Sequence, residues 1–407
     1  MSFLLFDQNR TTLLPFTFTR PVAEIRFGIL TIREKWEKFL NQKTSFLTEN
    51  YLQKKFPAII REKNILINGS ICPDDILVKE ISKLRKGEKL IYNNVLIGAV
   101  ISGEEVNRIL SGSSADKETM IFETMDKFSS VLSKTKNILQ MKFPYDIFHK
   151  NGETIISDYK LITQGRKSKK AGRINCLLGK DIFIEEGVKI QCAALNSQTG
   201  PVYLGKNSEV MEGSIIRGPF ALCNHAVLKL SSKIYGPTTI GPFSKAGGEI
   251  NNSVISGYSN KAHDGFMGNS VIGEWCNIGA DTNTSNLKNT YADVEVWNYG
   301  ENKFLPSGLQ FCGLFMGDHS KCGINTMFNT GTVVGVCANI FGSGFPRKFI
   351  PDFSWGGAHG FQVYEPDKAF EVAQEVYKRR DKGFDDTEKE ILIRVFEITK
   401  QYRSNFR

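Results

Sequence analysis

The sequence predicts an α/β front domain, then a left-handed parallel β-helix of hexapeptide repeats, then closing helices. Three observations carry this. First, a small or apolar residue recurs every six positions: Leu204, Val210, Ile216, Leu222, Leu228, Ile234, Ile240, Ala246, and again Met316, Cys322, Phe328, Val334, Ile340. Second, the chain opens on a short apolar strand, Phe3–Phe6, and reaches a helical pattern with Ile32 and Trp36 on one face. Third, two amphipathic stripes end it: Phe370, Ala373, Val376 and Tyr377, then Ile391, Leu392, Val395, Phe396 and Tyr402.

Period six fits neither an α-helix nor a plain strand, whose side chains repeat at 3.6 and 2. It is the pattern of a hexapeptide solenoid. Three hexads, about 18 residues, close one triangular coil, and each flat face turns one side chain inward. One coil cannot bury its own core, so the coils must stack. Ile184 and Ile190 begin the pattern, and glycine follows several of its members, as in Leu204-Gly205, Ile240-Gly241 and Ile278-Gly279. The frame breaks between Ala246 and Ile255, and the step from Met267 to Ile272 is again short. His263, one of five histidines, lies inside this irregular stretch. Irregular solenoid turns project side chains outward, commonly at a binding face. A further departure, about residues 285–311, carries Val294, Val296 and Trp297 and reads as an ordered excursion packed on a neighbouring subunit.

The chain has 407 residues, enough for two or three cores. No apolar run approaches the roughly 20 residues of a membrane helix. The opening strand is cut off by Asp7 and has no basic flank, so a signal peptide is not expected and the cytoplasm is. Eight cysteines are scattered without a C-x-x-C pair, which argues against a zinc site or disulfide framework. The net charge of +9 is diffuse. Its one dense run, Arg166-Lys167-Ser168-Lys169-Lys170, reads as a solvated linker rather than a nucleic-acid patch. Neither nucleic acid nor membrane is an expected partner. The expected organisation is a front domain over 1–163, a basic linker over 164–175, the β-helix over 176–360 and C-terminal helices over 361–407.

Several stretches are similar to a known family. TIGPF (Thr239–Phe243), SNKAHDGFMG (Ser259–Gly268), SVIGEWCNIGAD (Ser270–Asp281) and TNTSN (Thr282–Asn286) resemble the left-handed β-helix domain of the bifunctional glucosamine-1-phosphate acetyltransferase / N-acetylglucosamine-1-phosphate uridylyltransferase family. The whole chain most resembles a variant bacterial branch, described as sugar nucleotidyltransferases. The resemblance implies a trimeric transferase of UDP-N-acetylglucosamine-type biosynthesis. It would take acetyl-CoA as co-substrate and an amino sugar 1-phosphate as acceptor. It makes His263 the general base toward the sugar amine and Asn286 a holder of sugar or oxyanion. Asn277 and Ala280 would contact sugar phosphate and acetyl-CoA. The chemistry agrees: an amine attacks a thioester only when neutral, imidazole suits proton transfer near neutral pH, and an amide donor suits an oxyanion.

The chain also departs from the pattern. Phe266 stands where the family has tyrosine, and Asn251 where a phosphate-binding lysine is expected, with Lys245, Lys261 and Lys288 as substitutes. Arg347 and Lys348 are the expected cations for coenzyme A, and His319 is the fallback base.

In the front domain, Leu13–Trp36 resembles the R-P-K-A-x-x-P-x-x-G element of sugar nucleotidyltransferases. There a glycine-rich turn binds nucleotide phosphates and an aspartate holds Mg²⁺. Here the turn is Asp7-Gln8-Asn9-Arg10, Val22 replaces the lysine, and Ser70 follows Ile65–Gly69 where the metal aspartate is expected. Asp7, Arg20 and Arg26 are the remaining nucleotide candidates. Mg²⁺ is expected only if this domain is active, and no resident metal site is expected. Two alternatives stay open: an acetyltransferase with an inactive front domain, and a non-catalytic sugar-nucleotide-binding regulator or scaffold.

Overall fold

The computed structural model describes residues 1–112 and 117–404, so the last three residues of the expected helical tail lie outside it. The chain forms two compact units. One comprises Met1–Leu13, Thr19–Ile25 and Leu30–Phe143; the other comprises Leu14–Phe18, Arg26–Ile29 and everything from Pro144 on. By compactness the main division therefore falls at Phe143, ahead of the two helices that reach Thr163.

The front unit is a six-stranded mixed sheet in the order β2-β1-β3-β5-β4-β6, counted among the described residues. Its strands are β1 (Ser2–Phe6), β2 (Ser45–Leu47), β3 (Lys63–Asn68), β4 (Glu88–Tyr92), β5 (Val95–Ser102) and β6 (Ser129–Leu132). β1 pairs in parallel with β2 and β3, whereas β5 runs antiparallel to β3 and β4. Helix α1 (Ile32–Leu40) starts with a capping box between Thr31 and Glu34 and buries Ile32 and Trp36. The Trp36 indole donates to the Ile71 carbonyl at 2.8 Å. Helices α2 (Asp75–Ile81), α3 (Gly103–Ser111) and α4 (Lys117–Met125) complete the unit, and α3 and α4 bury Val106, Ile109, Ile121 and Met125 against Leu4, Phe6 and Leu66.

The second unit begins with α5 (Pro144–His149) and α6 (Asn151–Thr163) and is dominated by a parallel β-solenoid. Its strands stack into three sheets of eight, nine and ten strands among the described residues. The first face holds Ile215–Arg217, Lys233–Tyr235, Glu249–Asn251, Phe266–Gly268 and Asn283–Thr284; the second Thr238–Ile240 and Val254–Ile255; the third Lys245–Ala246, Asn260–Lys261 and Asn277–Ile278, each with their stacked equivalents. Every member of the step-of-six series from Leu204 to Ala246 and from Met316 to Ile340 is buried in one core cluster, and Ile190 packs against its end. The frame break resolves simply. Ile250 enters the core between Ala246 and Ile255, so this coil is short at two corners. The ladder partner of Val227 is Lys245, but that of Lys245 is already Asn260.

The basic run is solvent-exposed and tied to the first coil: Arg166 pairs with Glu185 and Lys169 with Glu186, each at 2.5 Å. The excursion packs on its own chain. It forms a hairpin, Glu295–Asn298 with Lys303–Pro306, whose Trp297 stacks on Phe349 at 4.1 Å and meets Tyr402 edge-on. The tail forms α7 (Pro366–Lys378) and α8 (Asp386–Ile398), the latter capped by Asp385 accepting from the Glu388 N–H. None of the eight cysteines is in a disulfide, and six of them are buried.

The corner between the second and third faces carries a feature that periodicity did not reveal. Asn207, His225, Phe243, Tyr258, Trp275, His319, Cys337 and Phe353 occupy it in successive coils, all at positive φ. Identical backbone geometry stacks their side chains. Phe243 lies on Tyr258 at 5.0 Å, Tyr258 on Trp275 at 4.2 Å, and Tyr377 of α7 covers Trp275 at 3.9 Å.

Candidate functional site

His263 lies in the bend between Asn260–Lys261 of the third face and Phe266–Gly268 of the first, and its side chain is exposed. The bend is held from inside. Lys261 takes an inward core position, next to Ala246 of the preceding coil, where the series otherwise places aliphatics. The small Ala246 leaves room for it. The Lys261 ammonium donates to the carbonyls of Gly247 (3.1 Å), His263 (2.5 Å) and Asp264 (3.3 Å). Burial pulls this ammonium down to about 8, against the attraction of Asp264. The expected phosphate-binding role of Lys261 is therefore corrected: its three N–H bonds serve the backbone of the His263 turn. Gly248 (φ 75°) allows the coils to close here, since a Cβ on it would come within 2.9 Å of the His263 carbonyl oxygen.

Ala280 occupies the same corner one coil on, where the Asp281 N–H donates to the Asp264 carbonyl at 3.1 Å. Asn286 lies on the first face beyond Thr284. Its amide donates to Asn269 Oδ1 at 2.8 Å, and both that amide and the Phe266 ring press on Gly268. Asn283 Oδ1 accepts from the Phe266 N–H at 2.8 Å. The structure thus places His263 and Ala280 at one corner, with the Phe266 ring and the Asn286 amide converging at Gly268 on the first face that follows it.

Other candidates lie elsewhere. Asn277 and Lys245 stand in the outward column of the third face, on either side of Asn260. Lys288 donates to the Asp293 carbonyl within its own loop at 2.6 Å. Lys348 donates to the Glu295 carbonyl of the hairpin at 3.2 Å, whereas Arg347 lies over the Phe361 ring. The two expected coenzyme cations therefore pack on different elements. His319 is buried in the aromatic corner beside Trp275 and Tyr377, which makes it a poor fallback base. Sequence reasoning missed Glu249, the ladder neighbour of Phe266. It accepts from the Tyr235 hydroxyl at 2.5 Å and helps push that phenol up to about 12. The signal was its place just before the core residue Ile250, which turns it outward on this face.

In the front unit β1 has β2 on one side and β3 on the other, so the crevice at their carboxyl ends is the topological switch point, where α/β sheets bind ligands. Here it holds a closed polar network. Asp7 accepts from the Val22 N–H (2.8 Å), Arg10 (3.2 Å) and the Thr48 hydroxyl. Arg10 also reaches the Tyr51 hydroxyl at 2.7 Å and the Arg20 carbonyl at 3.3 Å. Burial pushes the Asp7 carboxyl up, while Arg10 and Thr48 pull it back. Asp7 is thus an internal partner rather than a group offered to nucleotide or metal. Arg10, unremarked in the sequence, is its counter-ion. Arg20 is half-buried, and its charge acts on Glu24. Arg26 counts with the other compact unit, folded back on the Ile29 carbonyl with its guanidinium 4.0 Å from the Cys223 sulfur. Asp74 is spent on capping α2. Among the described residues, no group of three or more His, Cys, Asp or Glu could hold a metal ion.

Residues 3–167 match the model of the sugar nucleotidyl transferase family. A bifunctional sugar-1-phosphate nucleotidylyltransferase/acetyltransferase of Sulfurisphaera tokodaii is 32% identical over 160 residues, 39% of this chain and 37% of that protein. The bifunctional protein GlmU of Synechococcus elongatus is 24% identical over 186 residues, 43% of this chain and 36% of that protein. The matched region thus spans well under half of either relative. A solved Arabidopsis UDP-N-acetylglucosamine acyltransferase overlaps 57% of this chain and 94% of its own, at 13% identity and a TM-score of 0.20, so the solenoid assignment rests on the strand ladder itself. Residues 3–167 are thus similar to the sugar nucleotidyl transferase family, and a hexapeptide β-solenoid follows them.

Proposed function

We propose that the chain is a cytoplasmic, homotrimeric transferase of sugar-nucleotide synthesis that moves the acetyl group of acetyl-CoA onto the amine of an amino sugar 1-phosphate. One observation carries this most: an exposed His263 on a turn pinned from within by Lys261. In the reaction the neutral amine attacks the thioester carbonyl. The new C–N bond forms, the C–S bond breaks, coenzyme A leaves as thiolate, and imidazole takes the amine proton. Asn286 donates to the oxygen that gains charge, or to the sugar. Phe266 walls the acceptor side without a hydroxyl contact, which favours an acceptor other than glucosamine 1-phosphate. Ala280 lines the donor side with a small side chain, and Asn277 extends it along the third face. The names of the relatives support both transferase classes.

Nucleotidyl transfer in the front domain is the slower activity in this reading, because the Asp7 network is internally satisfied. Mg²⁺ would enter only with nucleotide phosphates. The trimer is supported by outward apolar residues of the first face, among them Ile215 and Met327, which are exposed on the single chain and suit a heterologous neighbour in a closed ring. Incubation with acetyl-CoA and a panel of amino sugar 1-phosphates, read by product mass, tests the reading. A product heavier by one acetyl group is expected. No acylated product from any acceptor would leave a binding or scaffold role.

A further inference from the structure

The third face carries a cluster of cations that the proposed acyl transfer does not use. Lys245 and Asn260 are ladder neighbours in its outward column. Lys229 lies beside them, its Cβ 3.2 Å from where a Cβ on Gly247 would stand. The end of α7 comes down over this spot, anchored by Tyr377 on Trp275. Arg380, just past the helix, donates to Asn260 Oδ1 at 3.1 Å, with Arg379 adjoining it. Lys382 lies 5.8 Å above the Tyr258 ring.

Basic residues at a helix C-terminus are ordinary, because they complement its partial negative charge. That accounts for Arg379 and Arg380 but not for two solenoid lysines facing them. Among the described residues none of these five cations makes an ion pair with an acid. Burial and the charges of Arg380, Lys229 and Arg379 together lower the Lys245 ammonium, and burial and Arg379 lower Arg380. Like charges held together cost folding energy unless an anion joins them. The cluster is also bounded. Along the column it gives way to Val227 and Glu209 on one side and to Asn277 on the other. Beyond Asn277, Lys321 turns its ammonium to the His319 carbonyl at 2.9 Å. A long polyanion would want a stripe; this patch has the extent of one or two phosphate groups.

We propose that Lys229, Lys245, Arg379, Arg380 and Lys382 form a site for the phosphate groups of a small phosphoanhydride ligand, such as pyrophosphate or a nucleoside diphosphate. Asn260 supplies the neutral floor and holds Arg380 in place. The same strand continues through Lys261 into the His263 turn, so an occupant would stiffen the element that leads there. The site does not depend on acyl transfer: the cations gather whether or not His263 acts as a base.

The test is calorimetric titration of the full chain with inorganic pyrophosphate at low salt, beside thermal unfolding with and without it. Wild type should bind and gain in melting temperature, since a ligand of the folded state stabilises it by mass action. Lys245→Gln with Arg379→Gln should weaken binding at least tenfold while melting no lower than wild type without ligand, because a repulsion has been relieved. Lys303→Gln, away from the cluster, and His263→Ala should bind as wild type does. Wild-type affinity in the double variant, or no binding to wild type, would overturn the proposal. So would tight binding of a single-stranded RNA oligomer that pyrophosphate does not displace, which would assign the patch to a macromolecular polyanion.

Discussion

The crevice at the ends of β1 and β3 and the His263 corner are both places where a fold of this kind puts a site, and both are rich in polar residues. They differ in what those groups are bonded to. In the crevice Asp7, Arg10, Thr48 and Tyr51 bond to one another and are buried or nearly so. At the corner the buried lysine bonds only to backbone, and the imidazole it supports faces outward. A polar residue at the right address is therefore a poor guide to function until its partners are known. Side chains paired internally support the fold, and side chains held by the backbone but left unpaired are available to a substrate.

Substitutions can break or sharpen this contrast. The largest effect is expected for His263→Ala: acetyl transfer should fall about 10²–10⁴-fold, the usual worth of a positioned base. Its melting temperature should stay near that of wild type because the side chain is exposed. A large loss of stability with little loss of turnover would make it a structural turn residue after all. Asp7→Ala should do the reverse. It leaves the Arg10 charge buried without its partner, at a cost of about 3–5 kcal/mol, seen as earlier unfolding of the front unit, while acetyl transfer per folded molecule is unchanged. Asn286→Ala should slow acetyl transfer about 10²–10³-fold if its amide meets the oxyanion, and should mainly raise KM if it holds the sugar.

Lys261→Met should have the smallest effect, on the order of tenfold in turnover, and its signature is pH dependence. A neutral Lys261 has two N–H bonds for three carbonyls, so wild-type turnover should decline above about pH 8, where the buried amine loses its proton. The methionine variant should lack that alkaline limb. Stability should move the other way. Below about pH 8 the lysine is charged whether folded or unfolded and adds no slope. Between there and the ordinary lysine value of about 10.4 the unfolded chain holds more protons, so wild type gains stability with pH relative to the variant. Parallel pH profiles for the two proteins, in rate and in melting temperature, would remove Lys261 from the account.

The solenoid was legible because its period is a packing rule: each coil must place one small or apolar residue on each face, and every member of the series from Leu204 to Ala246 is in the core. The short coil was not, because Ile250 falls off the step of six and only stacking shows that it belongs. Lys261 stands in the series itself, yet a charged residue there reads as a surface group until three carbonyls are seen around it. The positive-φ aromatic corner was hidden because its residues are chemically unlike one another and share only a backbone conformation. The His263 corner was found through similarity to a known motif rather than from spacing. In the front domain the sequence showed which expected groups were missing, but not that Arg10 and Thr48 had taken up Asp7, since spacing does not say where a turn arginine points and Thr48 comes from a segment 41 residues along the chain.

The most direct test follows both chemistries in one preparation of wild-type protein: thiol release from acetyl-CoA with an amino sugar 1-phosphate, and pyrophosphate release from UTP or dTTP with a sugar 1-phosphate and Mg²⁺. The account expects acetyl transfer at an ordinary enzymatic rate, of order 1–10³ per second, and nucleotidyl transfer far below it. Rapid pyrophosphate release with no thiol release would contradict it, placing the active site in the crevice read here as closed.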